Sequence, residues 1–161
     1  MPRLSAGVLL YRVDDGVVEV LIAHPGGPFW ARKDDGVWSI PKGEYPEGDD
    51  AWAAARREFS EELGLEVPAG PRVELGSVKQ PSGKVVTAFA VRGDLDVTDA
   101  RSNTFELEWP KGSGTLRSFP EVDRVAWLPV AQARGKLLKG QRAFLDRLMA
   151  RPELADFSEG T

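Results

Sequence analysis

Apolar residues dominate Ser5 to Val13 and Val17 to Ala23, with Asp14-Asp15-Gly16 between them. Two such runs around a turn signal predict a β-hairpin. From Asp50 to Leu63 the pattern changes period. At ~100° per residue, with Trp52 as zero, Ala55, Phe59 and Leu63 fall at roughly 300°, 340° and 20°, one apolar stripe on a helix. Asp49 or Asp50 suits its N-cap, because a short carboxylate accepts from the orphan amides. Gly64 suits the left-handed position that ends it. Val73 to Lys79 and Lys84 to Val91 predict a second hairpin, joined through Gln80-Pro81-Ser82-Gly83. Arg124 to Leu128 reads as a last strand. Helical stretches follow near Val130 to Leu138 and Gln141 to Ala150, with Pro152 as a stop. Residues 24–36 and 93–120 are rich in Gly, Pro and polar residues and read as loops, although Trp38 to Ile40 is extended and Phe105 to Trp109 alternates at period two.

Composition adds bounds. The 161 residues suit one domain, taken as 1–152, with 153–161 as a mobile tail. The net charge of −4 argues against a general nucleic-acid binder, which carries a basic surplus. Cysteine is absent, which removes disulfides and thiol chemistry. The apolar run at the N-terminus is interrupted by Gly7 and stopped by Arg12, unlike a signal peptide. Nothing approaches the ~20 apolar residues of a spanning helix. The expectation is a soluble cytoplasmic protein with no membrane partner.

The same helix raises a charge problem. Glu61, Glu58 and Glu62 fall at roughly 180°, 240° and 280°, a second stripe beside the core stripe. Like charges three and four residues apart repel, and the helix C-terminus disfavours anions further. Taken alone, three such acids are more often solvated surface. A hard divalent cation, which takes oxygen ligands, would relieve the repulsion. Ala54, at roughly 200°, is small and leaves room on this side, and Arg57 precedes Glu61 by four residues and can pair with it. Upstream, Lys42 can meet phosphate as a point charge, and Gly43 lets backbone approach a ligand closely.

In these residues the chain resembles the Nudix hydrolases, whose pattern is G-x5-E-x7-R-E-U-x-E-E-x-G-U, with U a bulky aliphatic or similar residue. Gly43, Arg57, Glu58, Phe59, Glu61, Glu62, Gly64 and Leu65 match in register. Asp49 stands where the family usually has Glu. A chance match of the six strict Gly, Arg and Glu positions is on the order of 1 in 100,000. The resemblance implies an α/β fold, an α/β/α sandwich around a mixed central sheet, with the helix packed through Trp52, Ala55, Phe59 and Leu63. It implies hydrolysis of phosphoric anhydrides in nucleoside diphosphates linked to another moiety, with Mg2+ (or Mn2+) held by Glu58, Glu61 and Glu62, Glu44 as a further ligand and Arg57 in the catalytic set. The general base is open among Glu61, Glu62 and an acid of the 93–121 region, where Glu106, Glu108 and Glu121 are candidates.

For the substrate, Lys42, Gly43 and Lys84 are candidate phosphate contacts, with Arg32 and Lys33 beside them. Tyr45 and Trp109 are candidate contacts to a base, with Phe105, Trp30 and Trp38 as further aromatics. His24, the only histidine, shows no oriented partner in the sequence. The stretch Trp38-Ser-Ile-Pro-Lys-Gly-Glu44 resembles diadenosine tetraphosphate hydrolases and points to dinucleoside polyphosphates. Pro81, sixteen residues past Leu65, is a placement associated with ADP-ribose pyrophosphatases, but a turn also explains it. A nucleotide-sugar or nucleoside triphosphate pyrophosphohydrolase is the alternative, and a non-catalytic nucleotide-binding module is the reading of another class.

Overall fold

A computed structural model describes residues 3–161; Met1 and Pro2, at the head of the N-terminal apolar segment, lie outside the described residues. The first hairpin forms β1 (Leu4–Asp14) and β2 (Val17–Pro25), and β3 (Lys42–Tyr45) follows the loop. The motif helix is α1 (Ala51–Leu63). After it come β4 (Arg72–Lys79), β5 (Val85–Arg92), β6 (Thr104–Glu108), β7 (Leu116–Pro120) and β8 (Val122–Pro129). Two short helices, α2 (Val130–Lys136) and α3 (Arg142–Met149), close the fold.

Six strands form one sheet in the order β4-β5-β1-β2-β8, with β3 paired to β1. β1 runs parallel to β5 and antiparallel to β2 and β3, so the sheet is mixed. One edge of β1 is shared: Leu4 to Gly7 pair with β3, and Tyr11 to Asp14 pair with β2. β3 is thereby held beside the start of β1, directly before α1.

The period-two alternation of β1 divides the core. Ala6, Val8 and Leu10 face α1, where they pack with Leu21, Phe59, Leu63 and Phe89. Leu9 and Tyr11 face α2 and α3, with Ile22, Trp38, Phe144, Leu145 and Leu148. This is the expected α/β/α sandwich around a mixed sheet. Of the expected helix stripe, Ala55, Phe59 and Leu63 are buried, and Trp52 is half-buried with its ring 5.3 Å from Phe89. Ala54, expected to leave room beside the acids, is also buried in this core. Truncating Phe59 to alanine removes the largest fully buried side chain of the helix, a change that costs about 3–5 kcal/mol in well-packed cores.

Asp50, not Asp49, caps α1; its side chain accepts from the Ala53 amide at 3.0 Å. Gly64 ends the helix at φ 68°, in the left-handed region. The 93–120 segment holds more order than its composition suggests, because β6 and β7 pair as a separate two-stranded ribbon. Residues 153–161 are packed where a mobile tail is expected. Leu154 is buried, Ser158 exchanges backbone hydrogen bonds with Gly16 and Val18, and Glu159 pairs with Arg134 at 2.7 Å. A few apolar and acidic residues with distant partners are enough to hold the segment, and composition does not show those partners. No helix among the described residues is long and apolar enough to cross a membrane.

Candidate active site

The shared edge of β1 brings β3 under α1, and the acidic stripe meets Lys42, Gly43 and Glu44 there. Lys42, Gly43 and Glu44 from β3, Glu58 and Glu62 from α1, Lys84, Asn103 and Glu121 line one cleft of about 310 Å3. Four carboxylates therefore face two lysines. Gly43 admits this close approach, since a Cβ there would overlap the Glu58 carboxylate.

The helix angles sort the three acids. Glu62, nearest the core stripe, is the most enclosed, and its carboxylate accepts from the Lys42 amide at 3.3 Å. Its carboxyl is pushed up to about 8 by burial, against the pull of the Lys42 amide and ammonium; Glu58 and Glu121 push the same way as burial. Glu58 is raised as well, by burial first and then by Glu61. Glu61, farthest round the helix, is exposed on the outer edge and lines no part of this cleft. Lys42 is lowered, chiefly by burial and next by Lys84.

Several expectations change. Arg57 does not reach Glu61; its Nε lies 3.5 Å from Glu58 Oε2. The side chain takes the adjacent carboxylate, which leans toward it over β3, rather than the one a turn ahead. Tyr45 turns into the core beside α1, as the strand alternation requires once Lys42 and Glu44 face the cleft. Trp109 follows β6 and lines no part of the cleft; its ring lies 5.4 Å from Phe29. Phe105 packs against Phe119, and Glu106 and Glu108 are exposed on the opposite face of β6. Glu108 is occupied by the Gly112 amide of its own turn. Of the later acids, only Glu121 reaches the cleft, with Asn103 beside it. Asn103 carried no signal in the sequence; it is placed by its amide bond to the Glu61 carbonyl, 2.8 Å, and by the Glu121 amide on its own carbonyl, 2.9 Å. Lys84 lies 3.8 Å from Glu44, whereas Arg32 and Lys33 are outside the cleft. Residues 80–83 form the turn that accounts for Pro81, with the Gly83 amide on the Gln80 carbonyl. His24 sits at the end of β2, fully buried, with Nδ1 2.7 Å from Asp123 and Nε2 2.6 Å from the Lys33 carbonyl.

Among the described residues, no group of three or more His, Asp or Glu side chains is gathered tightly enough to cage an ion. The donor set nonetheless fits a hard divalent cation. It is all oxygen, it exceeds its lysine neighbours in charge, and the carboxyl of its buried member, Glu62, is raised by burial first and then by the neighbouring carboxylates Glu58 and Glu121, repulsion that a cation would relieve. Such a cation would favour the ionised carboxylates and draw them together.

Sandwich, glycine-fronted strand and acid-striped helix define a class of α/β proteins with a carboxylate-lined, lysine-flanked cleft suited to phosphates. The NUDIX domain family model matches residues 1–148, and the chain belongs to the Nudix family. It is 31% identical over 140 residues to an 8-oxo-(d)GTP phosphatase from Mycolicibacterium smegmatis, a match covering 84% of this chain and 35% of that protein. It is 27% identical over 111 residues to Nudix hydrolase 7 from Arabidopsis thaliana, covering 66% of this chain and 38% of that one. The chain thus spans little more than a third of the length of these curated relatives. Its fold is similar to a C. elegans Ap4A hydrolase binary complex (TM-score 0.62, 20% identity, 95% of this chain and 99% of the other). It is similar also to the NUDIX domain of Shewanella oneidensis NrtR complexed with ADP ribose (TM-score 0.63, 16% identity, 92% and 86%). Nudix hydrolases generally use divalent metal ions.

Proposed function

We propose that the protein is a metal-dependent pyrophosphohydrolase of nucleoside diphosphates linked to another moiety, with dinucleoside polyphosphates as its first substrates and the cytoplasm as its compartment. One observation carries the reading: Glu44, Glu58, Glu62 and Glu121 face Lys42 and Lys84 in a single cleft at the end of the motif helix. Glu58, Glu61 and Glu62, with Glu44 across from them, would hold Mg2+ or Mn2+. When bound, the cation neutralises phosphate charge and makes a bound water more acidic. Lys42 and Lys84 place ammonium charge on phosphate oxygens. Arg57 braces Glu58 and acts as a positioning residue. A carboxylate takes the proton of the attacking water. Glu62 and Glu121 stand in the cleft for that role, and Glu61 lies outside its lining, beside Glu58. The water oxygen bonds to phosphorus as the bridging phosphorus–oxygen bond breaks, and the departing phosphate keeps the electron pair.

The Ap4A hydrolase of similar fold and the Trp38 to Glu44 stretch favour dinucleoside polyphosphates. The 8-oxo-(d)GTP phosphatase relative favours a second reading, a nucleoside triphosphate hydrolase. A panel of dinucleoside polyphosphates, ADP-ribose and nucleoside triphosphates with Mg2+, compared by kcat/KM, separates them. Glu62→Gln should lower turnover by about 10²–10⁴-fold with an unchanged circular dichroism spectrum. Unchanged turnover would remove Glu62 from the site. If the wild type cleaves none of the panel, the non-catalytic nucleotide-binding reading stands instead.

A further inference from the structure

Strand β8 carries one residue more than its partner. Along β2 and β8, Leu21 pairs with Trp127, Ile22 with Ala126, Ala23 with Val125 and His24 with Arg124. The register then shifts, and Pro25 pairs with Val122, which leaves Asp123 as the extra residue. An added residue in one strand reverses the alternation of side chains beyond it, and such bulges re-aim side chains beside active sites.

The faces of the sheet show what is re-aimed. Leu21, Val125 and Trp127 pack on the α1 side, and Ile22, Ala126 and Leu128 pack on the other. Unbroken alternation would send Glu121 to the α1 side with Val125. The extra residue gives that side to Val122, which shares a cavity with Val97 and Val125. Glu121 falls on the opposite side. Lys42 and Glu44 point there too, since they pair with Gly7 and Ser5 rather than with the α1-facing Ala6. Glu121 thereby joins them in the charged cleft.

Asp123 is held in the bulge by a buried side chain. His24, fully buried, donates from Nε2 to the Lys33 carbonyl at 2.6 Å, and its Nδ1 lies 2.7 Å from Asp123 Oδ1. With both ring nitrogens engaged, the imidazole has one orientation. Arg124 Nε lies 3.6 Å from the same carboxylate oxygen, but its side chain is 53% exposed and such pairs add little. The backbone beside the bulge is clamped as well. The Glu121 amide donates to the Asn103 carbonyl and the Glu121 carbonyl accepts from the Gly26 amide, both at 2.9 Å.

We propose that His24 and Asp123 are positioning residues: together they hold the extra residue of β8 and so turn Glu121 into the cleft. The inference rests on the reading of that cleft as a hydrolytic site, where Glu121 is one of the acids able to take the proton of the attacking water. Neither His24 nor Asp123 lines the cleft, so both act through Glu121.

Steady-state kinetics with a dinucleoside polyphosphate and Mg2+ tests this in five variants. Asp123→Ala should lower kcat by about 10²-fold and move KM by less than about threefold, because a reacting group is misplaced while binding is kept. Asp123→Asn offers Nδ1 both an acceptor and a donor and should restore most of kcat. His24→Phe keeps a ring against Trp38, whose centroid lies 5.2 Å away, and removes both nitrogens; it should share the Asp123→Ala defect. Melting temperatures confirm folding, and if His24→Phe does not fold, the Asp123 variants decide. Glu121→Gln should lower kcat by about 10²–10⁴-fold. Adding Asp123→Ala to it should change kcat by less than about threefold, since the group that Asp123 serves is already gone. Full turnover in Asp123→Ala or Glu121→Gln, or costs that multiply in the double variant, overturns the assignment. Crystal structures of the wild type and Asp123→Ala read the same point without turnover: Glu121 should leave the cleft in the variant, and its staying there overturns the inference. If the wild type hydrolyses no dinucleoside polyphosphate and Glu121 still moves in the variant, the hydrolase reading falls and the positioning stands.

Discussion

Gly43 owes its place to a neighbour. The Glu58 carboxylate lies where a side chain on Gly43 would start, so the glycine sets how close the helix acid comes to β3. The overlapping atoms are the free end of a flexible side chain, so that end yields first. Gly43→Ala should therefore cost only about 1–2 kcal/mol of stability, as mild overpacking does. It should lower kcat/KM by more than about tenfold through the misplaced carboxylate. Thermal melts and steady-state kinetics read the two effects apart; full activity in the variant would show that Glu58 need not lie over β3. The sequence had marked Gly43 for closeness to a ligand, and the closeness is real, but the near partner is a residue fifteen positions on. Arg57 makes a similar point. Four-residue spacing allowed Glu61, and the tilt of Glu58 toward β3 decided otherwise.

Helix α1 carries both stripes, so its start and stop matter to the site. Asp50 satisfies an orphan amide at the first turn, and Gly64 takes the left-handed turn that ends the last. Asp50→Ala should lower stability by about 0.5–2 kcal/mol, measured by urea unfolding at neutral pH. Because Glu58 and Glu62 lie two and three turns away, kcat/KM should change by less than about threefold. A large kinetic defect would mean the helix frays as far as the acids. The helix, its core face and both hairpins were legible in the sequence because periodicity and turn residues are local signals. The β6–β7 ribbon was not, since only Phe105 to Trp109 hinted at it and its partner strand is short and exposed. The order of the segment after β2 was hidden for another reason. His24 and Asp123 are 99 residues apart, and Asp34 and Lys136 are 102 apart.

For the whole molecule, the buried acids set a pH dependence. Glu62 has an ordinary value of 4.5 and is raised to about 8, so the folded state binds its proton more tightly than the unfolded state does. The associated stability is fully present below 4.5 and is lost as pH rises through about 8. Glu58 shifts the same way. Asp34, Asp94, Asp96 and Glu159 are lowered, and their contributions are lost only on the acid side. The melting temperature in chelator should therefore fall from pH 5 to pH 8, and Mg2+ should raise it more at pH 8 than at pH 5. A flat profile without metal would mean that Glu62 is solvated in the folded state. At this scale the origins of the protein separate cleanly. The sequence by itself determined the two hairpins, the motif helix with its core stripe, and the family, because each is written in spacing along one helix or strand; β3, β6 and β7 were not among them. It also held the acids that any cation would need. Tertiary structure alone decided which of them share a cleft, by pairing β3 to the edge of β1 and bringing Glu121 and Asn103 back from the irregular segment. It alone brought Trp30 to the wall of the neighbouring cavity that shares Lys42, Glu62 and Glu121 with the cleft, because burial and proximity depend on contacts between residues far apart in the chain.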